Sequence, residues 1–119
     1  MSRLRWIPAL LWAAVVFTLT SIPNPNLPGV PGGDKVAHTM MYGVLGVLVA
    51  YALAPSRRRV AWLGVAFLIT AAVAAVDEVH QRYIPGRSES AADWIADISG
   101  AGLVLLVSAA LWRRRELTR

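Results

Sequence analysis

Four long apolar stretches constrain the fold of this chain more than any other feature. Each is long enough for an α-helix to cross a hydrocarbon core of about 30 Å, at about 1.5 Å per residue. The connections between them are short, which favours antiparallel neighbours. We therefore predict an all-α membrane protein, a four-transmembrane-helix bundle with up-down-up-down topology, forming a single domain over residues 1–119. The predicted helices cover residues 4–21, 35–54, 60–83 and 92–112.

Composition agrees with membrane insertion and excludes several classes of function. Hydrophobic residues make up 56% of the 119 residues, more than is usual in soluble domains. The chain has no cysteine, so disulfides and thiolate metal sites are excluded. The net charge of +5 could suggest a nucleic-acid partner. However, the arginines form short runs between apolar stretches, which is typical of orientation signals in membrane proteins, and we expect no nucleic-acid partner.

The first apolar stretch could be either a cleaved signal peptide or a retained helix. It begins with basic residues, as signal peptides do, but Thr20-Ser21-Ile22-Pro23 lacks the small-x-small cleavage pattern. The apolar run is also long. We therefore expect a retained transmembrane helix.

Charge is distributed unequally between the two ends of the predicted bundle. One end carries nine arginines and one acid, whereas the other carries three basic residues and six acids. Since basic residues are retained in the cytoplasm, the arginine-rich end with both termini should be cytoplasmic. The residues at the opposite, outer end are Asp34, Lys35, Asp77, Glu78, Arg82, Arg87, Glu89, Asp93 and Asp97.

Polar side chains recur at a spacing of four at this outer end. Residues four apart share one face of a helix, so each pair should point in one direction. The pairs are Asp34 and His38, His38 and Tyr42, Asp77 and Gln81, and Asp93 and Asp97. Ser90, in the polar turn before helix four, could cap that helix, with Asp93 at the third helical position as its reciprocal partner.

These polar groups, on three different helices, are expected to lie at the same depth in the membrane. Counted from the basic ends at about 1.5 Å per residue, His38, Asp77 and Asp97 lie about 25, 27 and 24 Å away, respectively. A carboxylate at mid-membrane costs on the order of 2.5–3.5 kcal/mol, and less near the interface. Ionisable groups gathered at such a level form a functional-site hypothesis.

The residues at this level resemble the VanZ-like family of small bacterial membrane proteins. The resemblance covers roughly residues 21–102 and rests on three motifs. One position departs from the family pattern, because Asp97 stands where the family often has Asn. The motifs are Asp34-Lys35-x-x-His38-x-x-x-Tyr42-Gly43, Asp77-Glu78-x-x-Gln81 and Pro85-Gly86-Arg87-x-x-Ser90-x-x-Asp93.

The resemblance implies a role in the cell envelope, at lipid or peptidoglycan precursors of the outer leaflet. The family is named after a protein linked to teicoplanin resistance, which suggests a connection with glycopeptide tolerance. The expected partners are membrane lipids or a lipid-linked precursor. A homo-oligomer is left open.

The polar cluster suggests an enzyme acting on such a lipid. Asp77 or Glu78 would be the general base, with His38 as its catalytic partner. Lys35 or Arg87 would hold a phosphate group. The other expected substrate-binding residues are Tyr42, Gln81, Ser90 and Asp93.

Three alternatives accompany this hypothesis. The same pocket could bind a headgroup without chemistry, with Arg87 reading a phosphate. The cluster could also be an ion-paired clasp in a structural or assembly protein. Finally, no cofactor is indicated outright, although a divalent ion could be held by His38, Asp77, Glu78 and Asp93, whose oxygen and imidazole ligands suit Mn, Mg or Zn.

Overall fold

The fold is seen in a computed structural model, which describes residues 3–21, 33–53, 59–85 and 91–118, with the side chains at 33–35, 59, 60 and 93 left aside. All regular structure in this part of the chain is helical, as predicted. A 3-10 turn spans Arg3–Trp6 and leads into α1, Ile7–Thr20. The remaining helices are α2, Gly33–Leu53; α3, Arg59–Gln81; and α4, Ala91–Leu117. Four helical segments in these ranges are long and apolar enough to span a membrane.

The observed helix ends differ from the predicted ones by small, explicable amounts. Pro8 lies in the first turn of α1, where its missing backbone N–H breaks no helical hydrogen bond. Helix α4 continues past Trp112 to Leu117, because charged side chains such as Arg114 are good helix formers once the chain has left the apolar region. The start of α4 at Ala91 agrees with a cap at the preceding position, although Ser90 itself lies outside the described residues.

Contacts between residues of the first segment and α2 establish that α1 and α2 are antiparallel. At the arginine-rich end, the Arg5 guanidinium donates to the Tyr51 carbonyl oxygen, with Nε at 3.0 Å, and lies 4.4 Å from the centre of the Tyr51 ring. Along the same interface, the Trp12 indole donates to the Met41 carbonyl at 2.9 Å. The beginning of α1 therefore lies beside the end of α2, and α1 and α2 run in opposite directions.

Helix α4 packs against both α2 and α3. The Trp94 indole Nε1 donates to the Ala71 carbonyl oxygen of α3 at 3.1 Å. The contact with α2 is the most extensive in the bundle, because small residues let the two backbones approach. A Cβ placed on Gly43 would lie 3.1 Å from Val104 Cγ2, and one placed on Gly100 would lie 2.5 Å from the Thr39 carbonyl oxygen.

Apolar side chains fill the interior of the bundle and also cover its outside. Its buried core includes Val16, Leu45, Ala66, Ala74 and Leu105, contributed by all four helices. Large apolar side chains cover the outside, as expected of a surface that faces lipid. Those most exposed on the helices include Leu10, Leu11, Met40, Leu68, Val76, Leu103 and Leu106.

Candidate functional site

Asp77 is the centre of a hydrogen-bonded group that joins three helices. Its side chain is fully buried on α3. The Tyr42 hydroxyl of α2 donates to Asp77 Oδ2 at 2.6 Å, and the Thr20 hydroxyl of α1 donates to Oδ1 at 2.7 Å. Gln81, one turn further along α3, donates from Nε2 to Oδ2 at 3.4 Å. A buried carboxylate needs such donors, because its hydration is lost on burial.

His80 approaches the same carboxylate from the outer side. Its Nδ1 lies 3.9 Å from Asp77 Oδ1, and its ring packs against Phe17 of α1 with the ring centres 5.8 Å apart. The His80 side chain remains 37% exposed. It therefore connects the buried Asp77 group with the surface of the bundle.

A second polar group forms beside the first, between α2, α3 and α4. His38 Nδ1 lies 3.5 Å from Asp97 Oδ1, an ion pair when the imidazole is protonated. Glu78 completes the group, because one ligand atom from each of the three residues lies within 4.8 Å of the others. Asp97 is fully buried, and Glu78 is 7% exposed. We refer to His38, Glu78 and Asp97 as the triad.

Helix geometry explains why the two groups are separate. Consecutive residues on an α-helix are rotated by about 100° about the helix axis. The side chains of the adjacent acids Asp77 and Glu78 therefore point in different directions. Asp77 faces α1 and α2, whereas Glu78 faces α2 and α4. One turn of α3 thus supplies a carboxylate to each group.

The close contact between α2 and α4 brings His38 to Asp97. Thr39, the residue after His38, lies against Gly100, where there is no room for a side chain. The Thr39 hydroxyl donates to the Ala96 carbonyl oxygen at 3.4 Å. This contact fixes the two helices at the level of the triad.

Five of the residues expected from the sequence to form the site lie in these two groups. Tyr42, Asp77 and Gln81 belong to the Asp77 group, and His38 and Glu78 belong to the triad. The other expected residues have no described side chain. Lys35 and Asp93 lie on α2 and α4 with their side chains left aside, and Arg87 and Ser90 lie outside the described residues.

The structure adds Thr20 and His80 to the site, and it assigns to the triad Asp97, which the sequence placed in the polar cluster without a role. A hydroxyl near the end of an apolar stretch gives little signal, which explains why Thr20 was missed. His80 has no polar residue four positions away, so the spacing that selected the other residues does not select it.

The two groups differ in what they can do chemically. The Asp77 carboxylate is engaged by donors from the protein, which suits it to hold helices and side chains in place. The triad joins an imidazole to two carboxylates at short range, an arrangement that can exchange protons with a bound molecule or hold a cation.

Comparisons with known proteins supply the family. Neither the curated proteins nor the solved structures contain a match to this chain. The sequence model of one family, described as VanZ/LLP1, matches residues 3–113, which include all of the side chains in both polar groups. The protein therefore belongs to the VanZ/LLP1 family.

Proposed function

We propose that this protein acts on an outer-leaflet lipid, or a lipid-linked precursor, of the bacterial cell envelope. The supporting observation is that Asp77, Glu78 and Asp97 are buried at one level of a membrane-spanning bundle. Ionisable side chains inside a membrane protein are costly and commonly mark substrate or ion sites. A polar centre enclosed by apolar helices suits a substrate whose headgroup is polar and whose chains are apolar.

The charge distribution supports placing this centre at the outer face of the bacterial inner membrane. Arg3, Arg5 and the run Arg113-Arg114-Arg115 lie at the end of the bundle remote from the triad. Under the positive-inside rule that end is cytoplasmic, together with both termini. The triad then lies nearer the outer leaflet than the inner one.

Within this proposal, the triad is the reactive centre and supplies the general base. Asp77, which the sequence suggested as an alternative base, is better suited to positioning, because Thr20 and Tyr42 donate to both of its oxygens. Tyr42 and Gln81 then orient Asp77 instead of contacting substrate. Lys35 and Arg87 are retained as candidates for holding a phosphate, and Ser90 and Asp93 as candidate substrate-binding residues.

Comparative lipid mass spectrometry tests the proposal. Bacteria would express the wild type, Glu78→Gln or the control Glu116→Gln at equal membrane levels. Glu116 is an exposed acid at the arginine-rich end, so its substitution removes the same charge far from the triad. We expect a lipid or lipid-linked species to change with the wild type and the control but not with Glu78→Gln. A change of equal size with Glu78→Gln would reject the triad as a reactive centre.

Binding of a headgroup without chemistry is the second candidate, and it is favoured if no lipid changes. The resemblance to a teicoplanin-resistance protein makes glycopeptide susceptibility the matching measurement. A susceptibility difference that follows expression level, tolerates Glu78→Asp and occurs without a lipid change would support binding.

The hydrogen bonds that converge on Asp77 favour a structural role for that part of the cluster. They connect α1, α2 and α3 through side chains in the bundle interior. If the whole cluster were only a clasp, loss of lipid change in Glu78→Gln would match its loss of folded protein. Thermal unfolding of the purified variant in detergent separates the two explanations.

A further inference from the structure

We propose that the triad of His38, Glu78 and Asp97 binds a divalent metal ion, with Zn²⁺ and Mn²⁺ as the matching ions. The proposal concerns the same three side chains as the proposed function and names the cofactor of that centre. The metal site does not require the proposed lipid reaction, since an ion can be bound whether or not a lipid is converted.

The spacing of the triad suits coordination of one ion. Ligand bonds of about 2.0–2.2 Å in a tetrahedral site place neighbouring donor atoms about 3.4 Å apart. The distance from His38 Nδ1 to Asp97 Oδ1 is 3.5 Å. With one donor atom of Glu78 included, all three donors lie within 4.8 Å of one another. A rotamer adjustment of the Glu78 side chain would bring its oxygen to the same ion.

The identity of the donors indicates the class of ion. Imidazole favours transition metals such as zinc and iron, whereas carboxylates also accept manganese and magnesium. One imidazole with two carboxylates therefore suits Zn²⁺ or Mn²⁺. Three protein ligands leave a coordination position open, as in catalytic zinc sites.

The environment of the triad would accommodate a cation. Glu78 and Asp97 place two carboxylates inside a bundle whose outside is covered by apolar side chains. A divalent ion bound between these carboxylates would interact favourably with both. Because the donors come from α2, α3 and α4, the ion would also tie these three helices together.

Asp77 lies outside this ligand set. Among the described residues, the donor atoms that lie within 4.8 Å of one another come from His38, Glu78 and Asp97. Both Asp77 oxygens accept hydrogen bonds from within the protein, from Thr20 and Tyr42 at 2.7 and 2.6 Å. The ligand set thus differs from the one suggested by sequence, in which Asp77 and Asp93 accompanied His38 and Glu78. With an ion bound, none of the three triad side chains is free to act as a general base, so the general-base role given to the triad applies to the metal-free protein.

Metal uptake by the purified, full-length protein in detergent tests the proposal. After removal of bound metal with a chelator, Zn²⁺ or Mn²⁺ would be added, and the bound ion measured by equilibrium dialysis with elemental analysis. We expect about one ion per chain for the wild type. Loss of a residue that only hydrogen-bonds to a metal ligand typically weakens metal binding by about 10–100-fold. Loss of a ligand itself should therefore weaken metal binding at least tenfold in each of three variants, His38→Ala, Glu78→Gln and Asp97→Asn.

One control variant and one replacement separate specific binding from loss of fold. Glu116→Gln removes an exposed acid outside the triad, and it should bind metal as the wild type does. Asp97→His replaces a carboxylate with another ligand, and should retain Zn²⁺ while losing Mn²⁺ preferentially. This shift in preference cannot arise from unfolding.

The outcomes also distinguish failure of this proposal from failure of the proposed function. No uptake by the folded wild type, or equal uptake by the three triad variants, overturns the metal site and leaves a lipid change intact as support for metal-free chemistry. Uptake that depends on the triad, with no lipid change, keeps the metal site and rejects the proposed function.

Discussion

At the scale of single residues, Asp77 and Glu78 show how one helical turn can serve two purposes. The Asp77 carboxylate accepts hydrogen bonds from α1 and α2, which favours fixed geometry. The next residue, Glu78, joins His38 and Asp97 in a group suited to a bound molecule or ion. Adjacent acids in the sequence can therefore have different roles, and equal substitutions of them should have unequal consequences.

The Tyr42–Asp77 hydrogen bond should contribute measurably to stability. Tyr42→Phe removes the hydroxyl but keeps the ring, and a hydrogen bond to a charged group is worth about 1.5–3 kcal/mol. We expect a loss of that size in the free energy of unfolding, measured by denaturant titration in detergent. Tyr83→Phe is the control, because Tyr83 is 76% exposed and should change stability by less than about 0.5 kcal/mol.

The Thr20–Asp77 hydrogen bond allows a test of coupling within the same group. Thr20→Val removes the hydroxyl and nearly preserves volume. Since Thr20 and Tyr42 donate to one carboxylate, their substitutions should be non-additive, with an interaction energy of about 0.5–3 kcal/mol in a double-mutant cycle. Strict additivity would contradict the shared role of Asp77.

The sequence predicted the polar residues of the site better than their partners. Helical spacing correctly placed His38 and Tyr42 on one face of α2, because that depends only on the period of a helix. Whether His38 meets Asp77 or Asp97 depends on how α2 and α4 are rotated about their axes. Periodicity within each helix contains no such information, so the pairing required the structure.

At the scale of secondary structure, the contact between α2 and α4 is the feature that holds the triad together. It depends on small residues at the crossing, Gly43 on α2 and Gly100 on α4. The lengths of the helices were predictable from the apolar runs to within a few residues. Their exact ends were not, because α4 continues as a charged helix beyond the apolar region to Leu117.

Gly100→Ala should therefore weaken the bundle. The added Cβ would lie 2.5 Å from the Thr39 carbonyl oxygen, a backbone atom that cannot move without shifting α2. Overpacking of this kind typically costs about 1–3 kcal/mol of stability. Thermal unfolding in detergent should show the loss.

Gly64→Ala provides the matched control for this prediction. Gly64 lies within α3, and a Cβ there would meet no atom within 4 Å. Alanine favours helix over glycine by roughly 0.5–1 kcal/mol, so stability should be unchanged or slightly higher. Equal losses in the two variants would contradict the close approach of α2 and α4.

At the scale of the whole molecule, the proposed function depends on the orientation of the bundle in the membrane. The fold positions both polar groups toward the end where α1 and α3 finish and α2 and α4 begin. The arginine-rich segments lie toward the opposite end. An outer-leaflet substrate requires the polar end to face outward, as the charge bias predicts.

Labelling of single cysteines in living cells tests this orientation most directly. The chain contains no cysteine, so each introduced thiol is the sole target. Tyr83 and Thr118 are exposed positions near the two opposite ends of the bundle. With a membrane-impermeant maleimide, we expect Tyr83→Cys to be labelled on intact spheroplasts and Thr118→Cys only after permeabilisation. The reverse pattern would place the polar cluster at the cytoplasmic face and contradict the outer-leaflet function.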